Sequence, residues 1–329
     1  VTTEGLPMQV GYKLATEAFS PTEIVEQTVA AEEAGFDFVE LSDHYHPWLE
    51  EQGHSGFTWS MLGSMAAKTE RIGLATGVTC PMIRYHPAVI AQAAATVQLL
   101  SDNRFTLGIG AGERLNEHVV GGGWPAVRIR HHMLREALEI INLLWQGGYQ
   151  SYEGEYLTLE DARVFDLPDQ LPVIAVASGG PGASKLAAKY GSGLFATEPK
   201  PELVEAYAEH GGSGPKYAEV PMAWATDEDA AVQAALQTSR WALSGWPVMS
   251  ELPNPVNFDA ASATVTPADI QGQFACGPDL SRLVDKAQPY VDAGFDHIVF
   301  MNAGPDPDGF LEVCKSELIE RVRSLTPSS

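Results

Sequence analysis

Short apolar runs of strand character alternate with longer runs of helical spacing along the whole chain, and this rhythm limits the possible folds more than any other feature. The strand-like runs are QVGYKLA around Val10, FDFVEL, RIGLATGV, RFTLGIGAG, PVIAVAS, SGLFAT, EVPMAWAT and FDHIVFMNAG. Between the first two, PTEIVEQTVAAEEAG places Ile24, Val25, Val29 and Ala30 at helical spacing, with Pro21 near its start and Gly35 just past its end. Strands that alternate with helices, and are apolar on both faces, belong in a parallel sheet covered by helices. Eight of them predict an α/β fold, a closed (β/α)8 TIM barrel. An open doubly wound sheet is the rival, but a dinucleotide-binding sheet wants a glycine-rich turn after its first strand. Here that turn reads KLATEAFSPTE, without glycine. The chain reads as one domain over residues 1–329, with insertions near 114–130, 151–170 and 241–266.

Composition narrows the function. Lys+Arg number 20 against 43 Asp+Glu, a formal net charge of -23 that repels nucleic-acid phosphates and anionic membranes. Such a surface also suits a salt-rich cell interior. No apolar run approaches a membrane span, and VTTEGLPMQV lacks the basic and apolar regions of a leader. Cys80, Cys276 and Cys314 are odd in number and far apart, as expected in a reducing cytoplasm.

In a barrel the residues just beyond each strand converge on one mouth. The strands deliver Glu17, then Asp43, His44 and His46, then Thr76 and Thr79, then Glu113 and Asn116, then Ser178, then Thr197, Glu198 and Lys200. The richest of these stretches is SDHYHPWLEEQGHSGF. Neither HExxH nor paired cysteines occur, so no metal site is expected from His44 and His46. His44 alone reads equally as a hydrogen-bonding loop residue. Facing Glu113 from another strand, it becomes a candidate base. Trp48 is a pocket wall or a core residue. VASGGPGASKLAAKYG sets glycines between a strand and a helix, the make-up of a phosphate nest, although glycines in such a turn also serve structure alone.

The pieces GYKLATEAFSP, SDHYHPW, TGVTCPMIRYHPAVIAQAAATV, GIGAGERLNE, ASGGPGASKLA and GFDHIVF together resemble the coenzyme F420-dependent glucose-6-phosphate dehydrogenase group of the luciferase-like barrels. The resemblance implies an F420-dependent dehydrogenase, commonly dimeric. It would move a hydride from the carbinol or hemiacetal carbon of a sugar or secondary alcohol to C5 of F420. By the same likeness His44 is the base, Trp48 an active-site wall and Glu113 the acid. Asp43, Thr76, Gly77, Val78 and Asn116 would contact the cofactor, with Gly77–Val78 the place of a non-prolyl cis peptide, a bond that costs about 3 kcal/mol. Ser178, Gly179, Gly180, Pro181 and Gly182 match the nest for its phosphate, and Glu17, Thr197 and Lys200 would line the substrate. From Thr266 to Asp279 there is no Lys or Arg, and the next cations, Arg282 and Lys286, fall farther along the helix. That gap favours a neutral sugar or another alcohol over a sugar 6-phosphate. The alternatives are glucose 6-phosphate itself, an FMN-dependent monooxygenase, and a barrel that only binds a ligand.

Overall fold

Each barrel strand sorts its side chains by parity, and the two sets meet different surroundings. In the computed structural model, which describes residues 8–328, strand β1 (Gln9–Leu14) turns Val10, Tyr12 and Leu14 outward into the main apolar core beneath the helices. Gly11 and Lys13 then face the barrel interior, where a Cβ on Gly11 would strike the ring of Phe38. The start of the chain read for a leader falls largely on residues 1–7, outside the described residues.

Helix α1 (Pro21–Ala34) begins where its sequence says. Ser20 and Glu23 form a reciprocal capping box, Pro21 occupies the first turn, and Gly35 closes the helix in the left-handed conformation. The order continues with β2 (Phe38–Leu41), α2 (Thr58–Lys68), β3 (Gly73–Thr76), α3 (Pro87–Leu100), β4 (Phe105–Ile109), a short α4 (Arg114–Glu117) and α5 (Val127–Leu144). A hairpin of β5 (Gln150–Glu153) and β6 (Thr158–Ala162) precedes β7 (Val173–Ala177), α6 (Pro181–Tyr190), β8 (Gly193–Ala196), α7 (Pro201–Glu209) and β9 (Lys216–Ala223). Then come α8 (Glu228–Ser239), α9 (Trp246–Met249), α10 (Pro255–Ser262), α11 (Pro267–Gln273), β10 (Ala275–Cys276), α12 (Leu280–Asp292), β11 (His297–Asn302), α13 (Pro307–Val313) and α14 (Ile319–Arg323).

The main sheet has nine strands, β10 among them attached to the end of β9, and the other eight close a parallel barrel in the order β1-β2-β3-β4-β7-β8-β9-β11. These eight coincide with the eight expected runs, and the hairpin lies in the expected 151–170 insertion. The 241–266 insertion is helical: it holds α9 and α10, with Asn254 as the N-cap and Pro255 in the first turn of α10, and it ends at Thr266, the N-cap of α11. Phe38, Ala175, Phe195, Tyr217 and Val299 pack inside the barrel, with half-buried Val78 and Ala177 above them as the floor of the mouth. No helix among the described residues is long and apolar enough to cross a membrane.

Candidate active site

His44 stands at the mouth, just beyond β2, between two carboxylates from other elements. Its Nδ1 lies 2.8 Å from Oε1 of Glu17, although off the line of a good hydrogen bond, and its Nε2 lies 3.1 Å from Oε1 of Glu113. All three side chains are largely withdrawn from water. Burial alone pushes an imidazole toward neutrality, but Glu17 and then Glu113 outweigh it and raise the His44 pKa to about 9. Burial likewise raises a carboxyl, yet His44 pulls Glu17 down to about 2 and holds Glu113 below its ordinary range. At neutral pH the cluster is therefore an imidazolium between carboxylates. The ring is basic, as expected of a proton acceptor, but it carries its proton far above the 6.5 of a free histidine.

Trp48 meets His44 edge-on at 4.8 Å between ring centroids, and Trp241 from the helical insertion stacks on it at 4.0 Å and 8°. Phe258 closes the other side at 5.0 Å. Trp241 is thereby set against this wall. Trp224 is buried in the core, and Trp246 is half-exposed on α9.

Several expected cofactor ligands hold the site together. Asp43 accepts from Arg84 at 3.0 Å, Tyr85 at 3.1 Å, Trp59 at 3.3 Å and the Thr79 hydroxyl. That fills the roughly four lone-pair directions of a carboxylate. Asn116, buried, accepts from the N–H groups of Tyr45 at 2.8 Å and His46 at 3.1 Å, and donates to Glu113 at 2.6 Å. It staples the His44 loop to Glu113, which leaves one N–H for a ligand. Thr76 corrects the sequence reading. It shares the outward parity of Leu74, is buried, and donates its hydroxyl to the Gly108 carbonyl at 2.9 Å, so its side chain does not reach the mouth. Ser178 also turns inward, bonding the Gly180 carbonyl at 2.9 Å and the Ser184 hydroxyl at 2.8 Å.

The turn that Ser178 braces is open. A Cβ on Gly179, Gly180 or Gly182 would meet nothing within 4 Å, and α6 starts at Gly180 with no side chain capping it. Pro181 has no N–H and those of Ala183 and Ser184 turn back to the Gly180 carbonyl, which leaves the Gly182 N–H and the helix dipole for an anion, so these residues fit a phosphate. The Gly77–Val78 peptide is cis, as the resemblance implies.

On the far side of the mouth, Thr197 is exposed and Lys200 pairs with Glu198 at 2.7 Å. Arg282 and Lys286 are nearer than their sequence positions suggest. The strand β10 ends beside Ala223 and α12 starts at Leu280, so Arg282 falls in the first turn of α12 at the ligand end of the barrel, paired with Glu228 at 2.9 Å. Lys286 is half-buried one turn on. His46 bonds the Leu115 carbonyl at 3.0 Å.

The sequence reading missed Arg84, Tyr85 and Glu117. Arg84 also donates to the Asp43 carbonyl at 2.5 Å, and its backbone N–H donates to Glu117 at 3.0 Å. Burial, against the opposing pull of Arg84, raises Glu117 to about 7. For Arg84 and Tyr85 the signal was present: IRYHP closes the segment between β3 and α3, where barrel ligand loops emerge.

The profile of the luciferase-like monooxygenase family matches residues 6–297. An F420-dependent glucose-6-phosphate dehydrogenase of Kineococcus radiotolerans is 37% identical over 98% of this chain and 99% of its own. Its counterpart in Rhodococcus erythropolis is 35% identical over 97% and 98%. Among solved structures, an F420-dependent secondary alcohol dehydrogenase in complex with an F420-acetone adduct superposes with a TM-score of 0.90 and 28% identity, over 97% of this chain and 100% of that one.

Proposed function

The chain belongs to the luciferase-like monooxygenase family, and from that membership we propose which residues carry its reaction and what it acts on. The protein is an F420-dependent oxidoreductase acting on a CH–OH carbon. That sets aside the FMN-dependent monooxygenase and the barrel that only binds.

The observation that carries the assignment of roles is His44 between Glu17 and Glu113, across the mouth from an open glycine turn. Bound F420 supplies a hydride acceptor at C5. Gly179, Gly180, Pro181 and Gly182 would hold its phosphate, and Gly77 and Val78 would back its ring. Asp43, with Arg84, Tyr85 and Thr79 around it, fixes the peptide that carries His44. An alcohol carbon releases hydride only as its O–H proton departs, so the base must reach the hydroxyl of the same carbon. His44 takes that proton at Nε2, the nitrogen beside the less buried Glu113. Because the ring holds a proton up to about pH 9, alcohol oxidation draws on the neutral minority. Carbonyl reduction draws on the protonated majority. Trp48, held by Trp241, walls the substrate.

We place the substrate among sugar phosphates. The sequence relatives support this alternative better than the neutral sugar favoured by the basic-residue gap. Lys200, Arg282 and Lys286 supply cations on one side of the mouth. A neutral secondary alcohol is the second reading, favoured by the carboxylate partners that already occupy Lys200 and Arg282. Loss of F420 absorbance with glucose 6-phosphate, glucose and 2-propanol decides: turnover of the alcohol or glucose but not the phosphate overturns the first reading. The acidic surface argues against nucleic acid as a partner. A homodimer through α3, where Val89, Leu99 and Leu100 are exposed, is the assembly we expect, and a monomer in sedimentation at micromolar protein rejects it.

A further inference from the structure

Three ionisable side chains that the proposed reaction does not use stand together under the mouth. Lys13 on β1 reaches Glu40 on β2 at 2.7 Å and Glu219 on β9 at 2.6 Å. Its third hydrogen goes to the carbonyl of Gly77 at 2.6 Å, so all three ammonium donors are used. Lys13 is 8% exposed and Glu40 1%. Apolar side chains would fill such a layer without the desolvation cost of buried ions, so the group calls for a local reason.

Its location supplies one. Gly77 opens the irregular segment after β3, and a Cβ there would overlap Glu40 Oε1 at 2.1 Å. Val78 follows, half-buried in the floor beside Ala177. Thr79 comes next, and its hydroxyl donates to Asp43, the residue before His44. One short path of direct bonds thus runs from Lys13 through three consecutive residues to the loop that carries the base.

We propose that Lys13 is a positioning residue whose bond to the Gly77 carbonyl sets the height of segment 77–79 behind the F420 ring. This rests on the cofactor and ring-backing assignments made above. Glu219 and Glu40 hold the ammonium upright; burial, against the pull of Lys13, raises the Glu40 carboxyl to about 8, so Glu219 is the carboxylate that balances the charge at neutral pH.

Lys13→Met and the charge-balanced double variant Lys13→Met/Glu219→Met test it by three measurements. These are F420 affinity from cofactor fluorescence, steady-state kinetics, and amide hydrogen exchange over residues 76–80 without cofactor. The double variant is expected to fold, exchange faster over that segment, bind F420 about tenfold more weakly and turn over about 10²-fold more slowly, with substrate KM within about twofold of the parent. Glu219→Gln keeps an acceptor for Lys13 and leaves the Gly77 bond in place, so its F420 affinity stays parental. Parental exchange and affinity in the folded double variant overturn the proposal. So does equal damage from Glu219→Gln, or a double variant that cannot fold, which would make the group a structural brace. A parent that does not bind F420 overturns the cofactor reading instead, and faster exchange in the double variant then shows only that Lys13 holds the segment.

Discussion

Raising the pH should switch on alcohol oxidation through His44, over a range far above that of a free histidine. The ring titrates at about 9 because Glu17 lies 2.8 Å from Nδ1 and Glu113 3.1 Å from Nε2, which together outweigh burial. At pH 7 about one ring in a hundred is neutral, and at pH 9 about half are. If the neutral ring is the base, kcat/KM for oxidation should climb roughly fiftyfold between those values, while carbonyl reduction declines above pH 9. The assay is F420 reduction with a protiated and a deuterated alcohol, which verifies that hydride transfer limits the rate. Glu17→Gln should move the limb down by about one to two pH units, the usual effect of removing an opposite charge at contact distance. His44→Ala should lower oxidation by about 10²–10⁴-fold and abolish the limb, with F420 affinity kept. A flat wild-type profile from pH 7 to 9, or a limb that survives in His44→Ala, refutes the reasoning and moves the role of base to Glu113.

Four further outcomes are open to measurement. Gly180→Val should keep the parental melting temperature, since its φ of -170° is extended and a Cβ meets nothing within 4 Å, yet raise the F420 Kd about tenfold or more; unchanged affinity rules out the nest. Trp241→Ala removes the ring stacked on Trp48, so urea unfolding should show a loss of about 1 kcal/mol beyond the lost area, with kcat/KM reduced and F420 affinity unchanged. Gly108→Ala sets a Cβ 1.8 Å from the Thr76 carbonyl between paired strands, and should cost about 3 kcal/mol or more by the same unfolding assay. Stability also carries the signature of the cluster. The His44 share is complete below about pH 6.5 and fades as pH rises through about 9, whereas the Glu17 share is complete above about 4.5 and fades as pH falls toward 2. Melting temperatures of His44→Gln should therefore lack the alkaline decline.

The barrel was legible in the chain because alternation of apolar runs is a local property. A strand of period two and a helix of period 3.6 each write their spacing into a few consecutive residues. The open turn after β7 was legible for the same reason, since Gly179, Gly180 and Gly182 need no distant partner to remain open. The polar cluster at one mouth followed from the barrel itself. Tertiary structure decided the rest. Val10, Tyr12 and Leu14 share one face on sight, but that their face turns to the helices, leaving Lys13 inside, depends on closure of the sheet. The same parity removed Thr76 from the mouth. Arg282 reached the ligand end only through β10, a strand of two residues that no periodicity announces. The proton on His44 depends on Glu17 and Glu113, which belong to different βα units and meet the ring because β1, β2 and β4 lie around one barrel. Coulomb energy follows distance in space, and distance along the chain does not set it.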